Sequence, residues 1–183
     1  MRALSGVTAV VLASGLSRRY GAADKLLADL GGQPLASHVA EALGSMPFGE
    51  RIAVVGSSEI AALFAGFTVV RNSNAALGQQ HSLRLGVEAA TGPAVMVCLG
   101  DMPFITAEHL WALRDTHART GKAVATEAPG YLGPPAIFNR ERLLGEPGAA
   151  DAGARRLLGE ASRVIAPSGM VRDFDVPEDF DLP

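Results

Sequence analysis

A single cysteine, Cys98, excludes an internal disulfide and a cysteine-based zinc site. It lies within an apolar run and reads as a small buried hydrophobe. No apolar stretch is long enough to cross a bilayer, so no membrane partner is expected. Nor is there an excess of one charge. Lysine and arginine number 16 against 19 aspartates and glutamates, a net charge of -3, which leaves no basic face for nonspecific nucleic-acid binding. Aromatic residues are sparse at 5%, while hydrophobic residues reach 48%, ordinary for a globular α/β chain. There is no internal repeat and no low-complexity tract. The expectation is one domain spanning 1–183, in a reduced cytoplasmic setting.

What is present is alternation. Val7 to Leu12 reads as a buried strand, Ile52 to Val55 as a second and Thr68 to Val70 as a third. Ala94 to Leu99 is nearly unbroken in its apolar character and is expected at the sheet centre. Ala123 to Thr126 reads as a further strand, and Pro135 to Phe138 as a marginal or edge strand because of its prolines. Between the strands lie helical spacings. Leu35, Val39 and Leu43 share a face behind Pro34 at the first helical position. A helix capped by Ser57 or Ser58 runs to about Ala65, and Leu83, Val87 and Ala90 turn inward from a segment starting at Ser82. Thr106 opens a helix through Leu110 and Leu113 to about Arg119. Such alternation argues a Rossmann-like three-layer α/β/α fold with a mostly parallel sheet. Ala128 to Pro135 and Gly145 to Gly153 read as loops, and the acidic tail from Val171 to Pro183 as a solvated terminus. His38, His109 and His117 fall in helical patterns as surface or structural residues, and the four histidines show no metal-ligand spacing.

Ligands of such sheets gather beyond the carboxyl ends of the strands. The exit after Leu12 is Ala13-Ser14-Gly15-Leu16-Ser17-Arg18-Arg19-Tyr20-Gly21-Ala22-Ala23-Asp24-Lys25. Its glycines let backbone N–H groups approach an anion, and Arg18, Arg19 and Lys25 add full positive charge, which suits a polyphosphate. A secretory signal is the competing reading, with Arg2, an apolar stretch and small residues at 13–15. The stretch is short and interrupted by Ser5, Gly6 and Thr8, so the strand reading is preferred. The ordinary phosphate loop G-x-x-x-x-G-K-S/T does not fit, because five residues separate Gly15 from Gly21 and no Ser or Thr follows Lys25.

The second polar exit is Leu99-Gly100-Asp101-Met102-Pro103. A carboxylate beside a polyphosphate needs a cation between them, and Mg²⁺ commonly takes one or two carboxylates plus phosphate oxygens and waters. Asp101 is therefore the leading metal ligand, against a bland reading as a turn-capping aspartate. Asp175, within Asp173-Phe174-Asp175-Val176-Pro177, is a weaker second candidate that alone reads as a surface acid.

With both exits in place, the chain resembles the molybdenum cofactor cytidylyltransferases and, more distantly, the molybdopterin guanylyltransferases. The family signature, running roughly L-A-A-G-x-S-x-R-M-G-x-x-K-L-L, is approximated from Leu12 to Leu27, and L-x-D-M-P is matched by Leu99 to Pro103. Gly78 to Gly86 echoes G-M-x-x-S-L-R-x-G, Ala150 to Arg155 echoes G-D-x-G-A-R, and Asp173 to Asp179 echoes D-x-D-x-P-E-D. The resemblance implies a nucleotidyltransferase fold and a Mg²⁺-dependent transfer of CMP from CTP to the terminal phosphate of the molybdenum pterin cofactor. It implies that the backbone from Leu12 through Ala13, Ser14 and Gly15 cradles base and phosphates, with Arg18 and Lys25 on the triphosphate. Asp101 would hold Mg²⁺, with help from Asp175, and Ser82 and Arg84 would face the acceptor. A molybdenum hydroxylase would be the eventual recipient. The departures are Ser14 for alanine, Tyr20 for methionine, Ala150 for glycine, and Gly133-Pro134-Pro135 where the cytidylyl group carries G-H-P. These keep alternatives open: GTP as donor, another phosphorylated acceptor such as a sugar 1-phosphate, or a noncatalytic cofactor-binding maturation factor.

Overall fold

The computed structural model describes residues 4–15, 24–145, 153–167, 169–172, 174 and 176–180. In chain order the elements are β1 (Leu4–Ala13), β2 (Asp29–Leu30), β3 (Gln33–Pro34), α1 (Leu35–Gly44), β4 (Phe48–Val55), α2 (Ser58–Ala62), β5 (Thr68–Arg71) and α3 (Gln79–Ala89). There follow β6 (Ala94–Leu99), α4 (Ala107–Thr120), β7 (Val124–Ala128), β8 (Tyr131–Asn139), α5 (Arg140–Leu144), α6 (Gly153–Gly159) and β9 (Ser162–Ile165). Seven strands form one sheet in the order β5-β4-β1-β6-β8-β7-β9, with β6 in the middle as its apolar run predicts. Only β8 runs against its neighbours; β5, β4, β1 and β6 are mutually parallel, and β7 is parallel to β9.

The sheet is covered on both faces because its strands alternate between two cores. Ala9, Val11 and Ala13 of β1 point into a cluster with Leu35, Val39 and Leu43 of α1 and Leu110 and Leu113 of α4. Val10 and Leu12 point the other way, joining Leu83 and Val87 of α3 and Leu157 of α6. This period-2 division, matched to helices with period-3.6 faces, is what makes three layers. One glycine sets the spacing. A Cβ on Gly86 would lie 2.5 Å from Val10 Cγ1 and 3.0 Å from Val54 Cγ2, so α3 packs its backbone directly against the sheet.

Several sequence expectations are corrected. The Pro135 segment is not marginal or at an edge: β8 begins at Tyr131 and lies between β6 and β7. Its prolines are tolerated because the β7–β8 register shifts there, from Ala125 opposite Ala136 to Thr126 opposite Gly133, leaving Pro134 and Pro135 in a bulge. Thr126 Oγ1 donates to the Pro135 carbonyl at 2.6 Å, supplying a bond that the interrupted ladder does not. The 128–135 stretch is thus a hairpin turn and the start of a strand rather than a loop. The tail is not wholly solvated: among its described residues Arg172 and Val176 are exposed but Phe174 is buried, its ring packing on Phe104 and Phe180. α2 stops at Ala62, short of Ala65, whereas α3 begins at Gln79, nearly a turn before Ser82. Ser57 is the residue that caps α2, and Pro34 precedes α1 rather than opening it. The β2–β3 hairpin, α6 and β9 add to the expected elements.

Candidate functional site

The exits of β1 and β6 are neighbours because the two strands pair in register, Leu12 opposite Leu99. The Gly100 N–H donates to the Leu12 carbonyl at 2.9 Å, extending the contact one residue past β6. A Cβ at Gly100 would come within 3.1 Å of Ala13 Cβ and 3.3 Å of both Leu26 methyls. Glycine therefore lets the two exits touch, and Asp101 follows immediately.

Lys25 reaches the same place from the far end of the first loop. It opens a short 3-10 helix, Lys25–Leu27, whose start is capped by Asp24: its Oδ1 accepts from the Leu26 N–H at 3.0 Å. Buried Leu26 seats this turn against Gly100. Lys25 Nζ then lies 2.7 Å from Asp101 Oδ2, the side chains 15% and 28% exposed. Among the described residues no other side chain bonds the Asp101 carboxylate.

Beside the ion pair sits a neutral polar network. Ser14, the first residue beyond β1, is buried; its hydroxyl lies 2.7 Å from that of Ser82 on α3. Asn72, just past β5, donates from Nδ2 to Ser82 Oγ at 3.0 Å and to Ser14 Oγ at 3.3 Å, while its Oδ1 accepts from the Asn74 N–H. All three side chains are buried, and their mutual bonding offsets the desolvation that unpaired hydroxyls and amides would suffer. Three strand or helix ends are thereby tied together at the carboxyl edge of the sheet.

The structure thus brings together Leu12, Ala13, Ser14, Gly15, Lys25, Asp101 and Ser82. It does not bring Arg84 into this group: Arg84 is exposed and pairs with Glu88 one turn along α3, at 2.7 Å. Arg18 and Asp175 lie outside the described residues, as does Asp151 of the late motif. Asn72 was missed from sequence, although a polar residue at a strand exit on the same edge as Gly15 and Gly100 is the signal that finds it. His109 is structural, as expected: it is buried and donates from Nε2 to Thr126 Oγ1 at 2.8 Å, since the Thr126 proton is already given to Pro135. Burial lowers its pKa. Cys98 is fully buried, and desolvation pushes its thiol up to about 12. Tyr131 OH donates to the Pro134 carbonyl, fixing the segment that departs from G-H-P.

Among the described residues no three histidine, cysteine or carboxylate side chains gather into a metal cage. A single, partly exposed carboxylate at a strand exit still fits Mg²⁺, which readily completes its octahedron with phosphate oxygens and waters. No helix among the described residues is long and apolar enough to cross a membrane.

A mostly parallel sheet with a glycine-rich exit, a lysine and an aspartate converging at its carboxyl edge defines an α/β protein of the nucleotide-handling class. The chain belongs to the MobA-like NTP transferase domain family, whose model matches residues 9–164. Over 146 residues it is 34% identical to the bifunctional protein GlmU of Streptomyces coelicolor, a match covering 72% of this chain but 30% of that protein. The chain thus spans less than half the length of the curated relatives it matches. Among solved structures, Rv0371c from Mycobacterium tuberculosis superposes with a TM-score of 0.80 at 22% identity, covering 97% of this chain and 96% of that one. The manganese complex of the same mycobacterial protein gives a TM-score of 0.71 at 20% identity, covering 97% and 94%. A nucleotidyl transferase from Methanothermobacter gives 0.76 at 20% identity, covering 95% and 94%. These structural likenesses establish the fold.

Proposed function

We propose that the chain, as one domain spanning 1–183, transfers CMP from CTP to the terminal phosphate of the molybdenum pterin cofactor and releases pyrophosphate. The observation that carries this reading is the convergence of Lys25 and Asp101, 2.7 Å apart, at paired strand exits. An acceptor phosphate oxygen attacks the α-phosphorus, a new P–O bond forms, and the bond from the α-phosphorus to the bridging oxygen breaks with pyrophosphate leaving. The nucleophile is already anionic near neutral pH, so the protein needs no strong base; it positions the reactants and neutralises charge. In this reading the backbone of 12–15 holds base and phosphates, and Lys25 and Arg18 meet the charge that grows on pyrophosphate. Asp101 holds Mg²⁺, with Asp175 assisting; the metal supplies charge neutralisation on the phosphates. Asp175 follows Phe174, whose ring packs on Phe104 in the segment after Asp101. Ser82 and Arg84 serve the acceptor side, Arg84 by leaving Glu88 and Ser82 through its hold on Ser14. The product is handed on to a molybdenum hydroxylase.

A second acceptor, such as a sugar 1-phosphate, is favoured by one observation: Pro134 stands where a histidine would be, its carbonyl held by Tyr131. Pyrophosphate release measured with each NTP, Mg²⁺ and either acceptor separates the two. Release with CTP and the pterin cofactor is expected. Release with a sugar 1-phosphate alone moves the acceptor to that class, and full turnover by Asp101→Ala overturns the metal assignment.

A further inference from the structure

Resting on the proposed function, we infer that Ser14 and Ser82 share a single outward hydroxyl proton, for which the nucleotide and the acceptor phosphate compete. Asn72 is the positioning residue that makes the pair a donor. Strand pairing sets the place. Ala13 of β1 lies opposite Val55 of β4, and Val55 lies opposite Arg71 of β5. Ser14, Gly56 and Asn72 are therefore the first residues past three paired strands, at the edge where ligands of such sheets gather. Gly56 stands between the other two and carries no side chain, and the Asn72 amide reaches across to Ser14. Ser82 meets both from α3.

One backbone contact fixes the proton count. The Asn74 N–H donates to Asn72 at 2.9 Å, which identifies the accepting atom as Oδ1 and leaves Nδ2 toward the serines. Nδ2 gives one proton to Ser82 Oγ at 3.0 Å and its other to Ser14 Oγ at 3.3 Å. The two hydroxyls, 2.7 Å apart, use one of their own protons between them. Four protons thus serve three bonds. The fourth belongs to whichever serine accepts in the Ser14–Ser82 contact, and no acceptor for it lies among the described residues. Each serine keeps 5% of its surface open. A donor so nearly buried is costly to leave unmatched, and a phosphate oxygen is an acceptor that satisfies it.

The pair has two arrangements. With Ser82 donating to Ser14, the Ser14 proton points to the nucleotide side; with Ser14 donating to Ser82, the Ser82 proton points to the acceptor side. A ternary complex satisfies one ligand and not the other, so each lowers the affinity for its companion by the worth of one hydrogen bond.

The test titrates the full chain with Mg²⁺ and the α,β-methylene analogue of CTP, which does not transfer, and then titrates inorganic phosphate at saturating analogue. Charge repulsion between the ligands is common to all variants, so differences among them read the proton. Ser14→Ala leaves the Ser82 proton outward at all times. It is expected to bind the analogue roughly tenfold more weakly, the weight of one hydrogen bond to a charged group. Phosphate should then bind roughly tenfold more tightly than it does to the wild type. Adding Ser82→Ala to Ser14→Ala should abolish that gain, whereas Ser82→Ala alone should leave both affinities near wild type. The family signature carries alanine at position 14, and Ser14→Gly removes the same hydroxyl if the alanine variant does not fold. A triangle that only holds the backbone loosens both sites together. Phosphate bound no more tightly by either position-14 variant, or a gain that survives in the double variant, overturns the inference. Pyrophosphate release from CTP is measured apart: a wild type that binds both ligands but releases none overturns the proposed function, while the titrations still decide the shared proton.

Discussion

Two carboxylates lie at opposite ends of the same sheet and are held in opposite ways. At the amino end, Glu50 of β4 directs one oxygen, Oε2, at three donors: Thr8 Oγ1 at 2.9 Å, the Thr91 N–H at 3.0 Å and Thr91 Oγ1 at 3.2 Å. Thr8, its register partner on β1, also accepts from the Gly92 N–H. Every one of those donors is neutral and carried by backbone or a short side chain, so the arrangement has no part that can swing away. At the carboxyl end, the one side chain among the described residues that bonds Asp101 is a cation, Lys25. The difference lies in the donors: three neutral ones stitch Glu50 into the sheet, whereas among the described residues a single cation faces Asp101 at the edge where ligands of such sheets gather.

Exchanging acid for amide at both places is the sharpest way to break this contrast. Asp101→Asn keeps an oxygen for Lys25 but loses the charge, and pyrophosphate release should fall roughly 10²–10³-fold. Its thermal midpoint should stay near that of the wild type; a large drop would put Asp101 in the same structural category as Glu50. Glu50→Gln keeps an acceptor for all three donors and is expected to cost about 1 kcal/mol or less, whereas Glu50→Ala should cost about 1–3 kcal/mol in urea unfolding. Turnover of the folded fraction should be unchanged in both, and a loss of rate would show that the amino end reaches the site.

A smaller effect comes from His109, which lies between the two ends. Its folded pKa is lowered below the ordinary 6.5 by burial, so the unfolded chain takes up a proton first as pH falls. Its contribution to stability is therefore complete above pH 6.5 and is lost as pH falls from there through the lowered value. The slope reaches at most about 1.4 kcal/mol per pH unit, and denaturation midpoints at about pH 7.5 and about pH 5.5 should differ more in the wild type than in His109→Gln. The smallest effect is a silence. Cys98, buried and with its thiol at about 12, should resist thiol reagents at neutral pH until the chain unfolds, and rapid labelling of native protein would contradict the packing of β6.

Much of this was legible in the chain itself, for identifiable reasons. The apolar run of β6 marks the sheet centre because a strand flanked on both sides and covered on both faces has no polar face to show. The inward faces of α1, α3 and α4 follow from helical spacing alone, and Gly100 announces close approach next to a charged exit. The misreadings share a cause: they concern residues whose environment is made by distant chain. Pro134 and Pro135 are tolerated inside the sheet only because Thr126 opposite them bulges the ladder and caps a carbonyl. Phe174, one aromatic among acids, carries no periodicity, and its burial depends on Phe104. β9 is four residues long with alternating exposure at a sheet edge, too short for a pattern to declare itself. Asn72 sits in what reads as an ordinary turn, and only the approach of α3 converts it into a buried bridge.

The contact between Phe104 and Phe174 also bears on how the protein is made. The loop that follows Asp101 emerges from the ribosome some seventy residues before the ring that packs on it, so this contact closes only after the strands around it have been made. Until then the face of Phe104 that meets Phe174 stays uncovered.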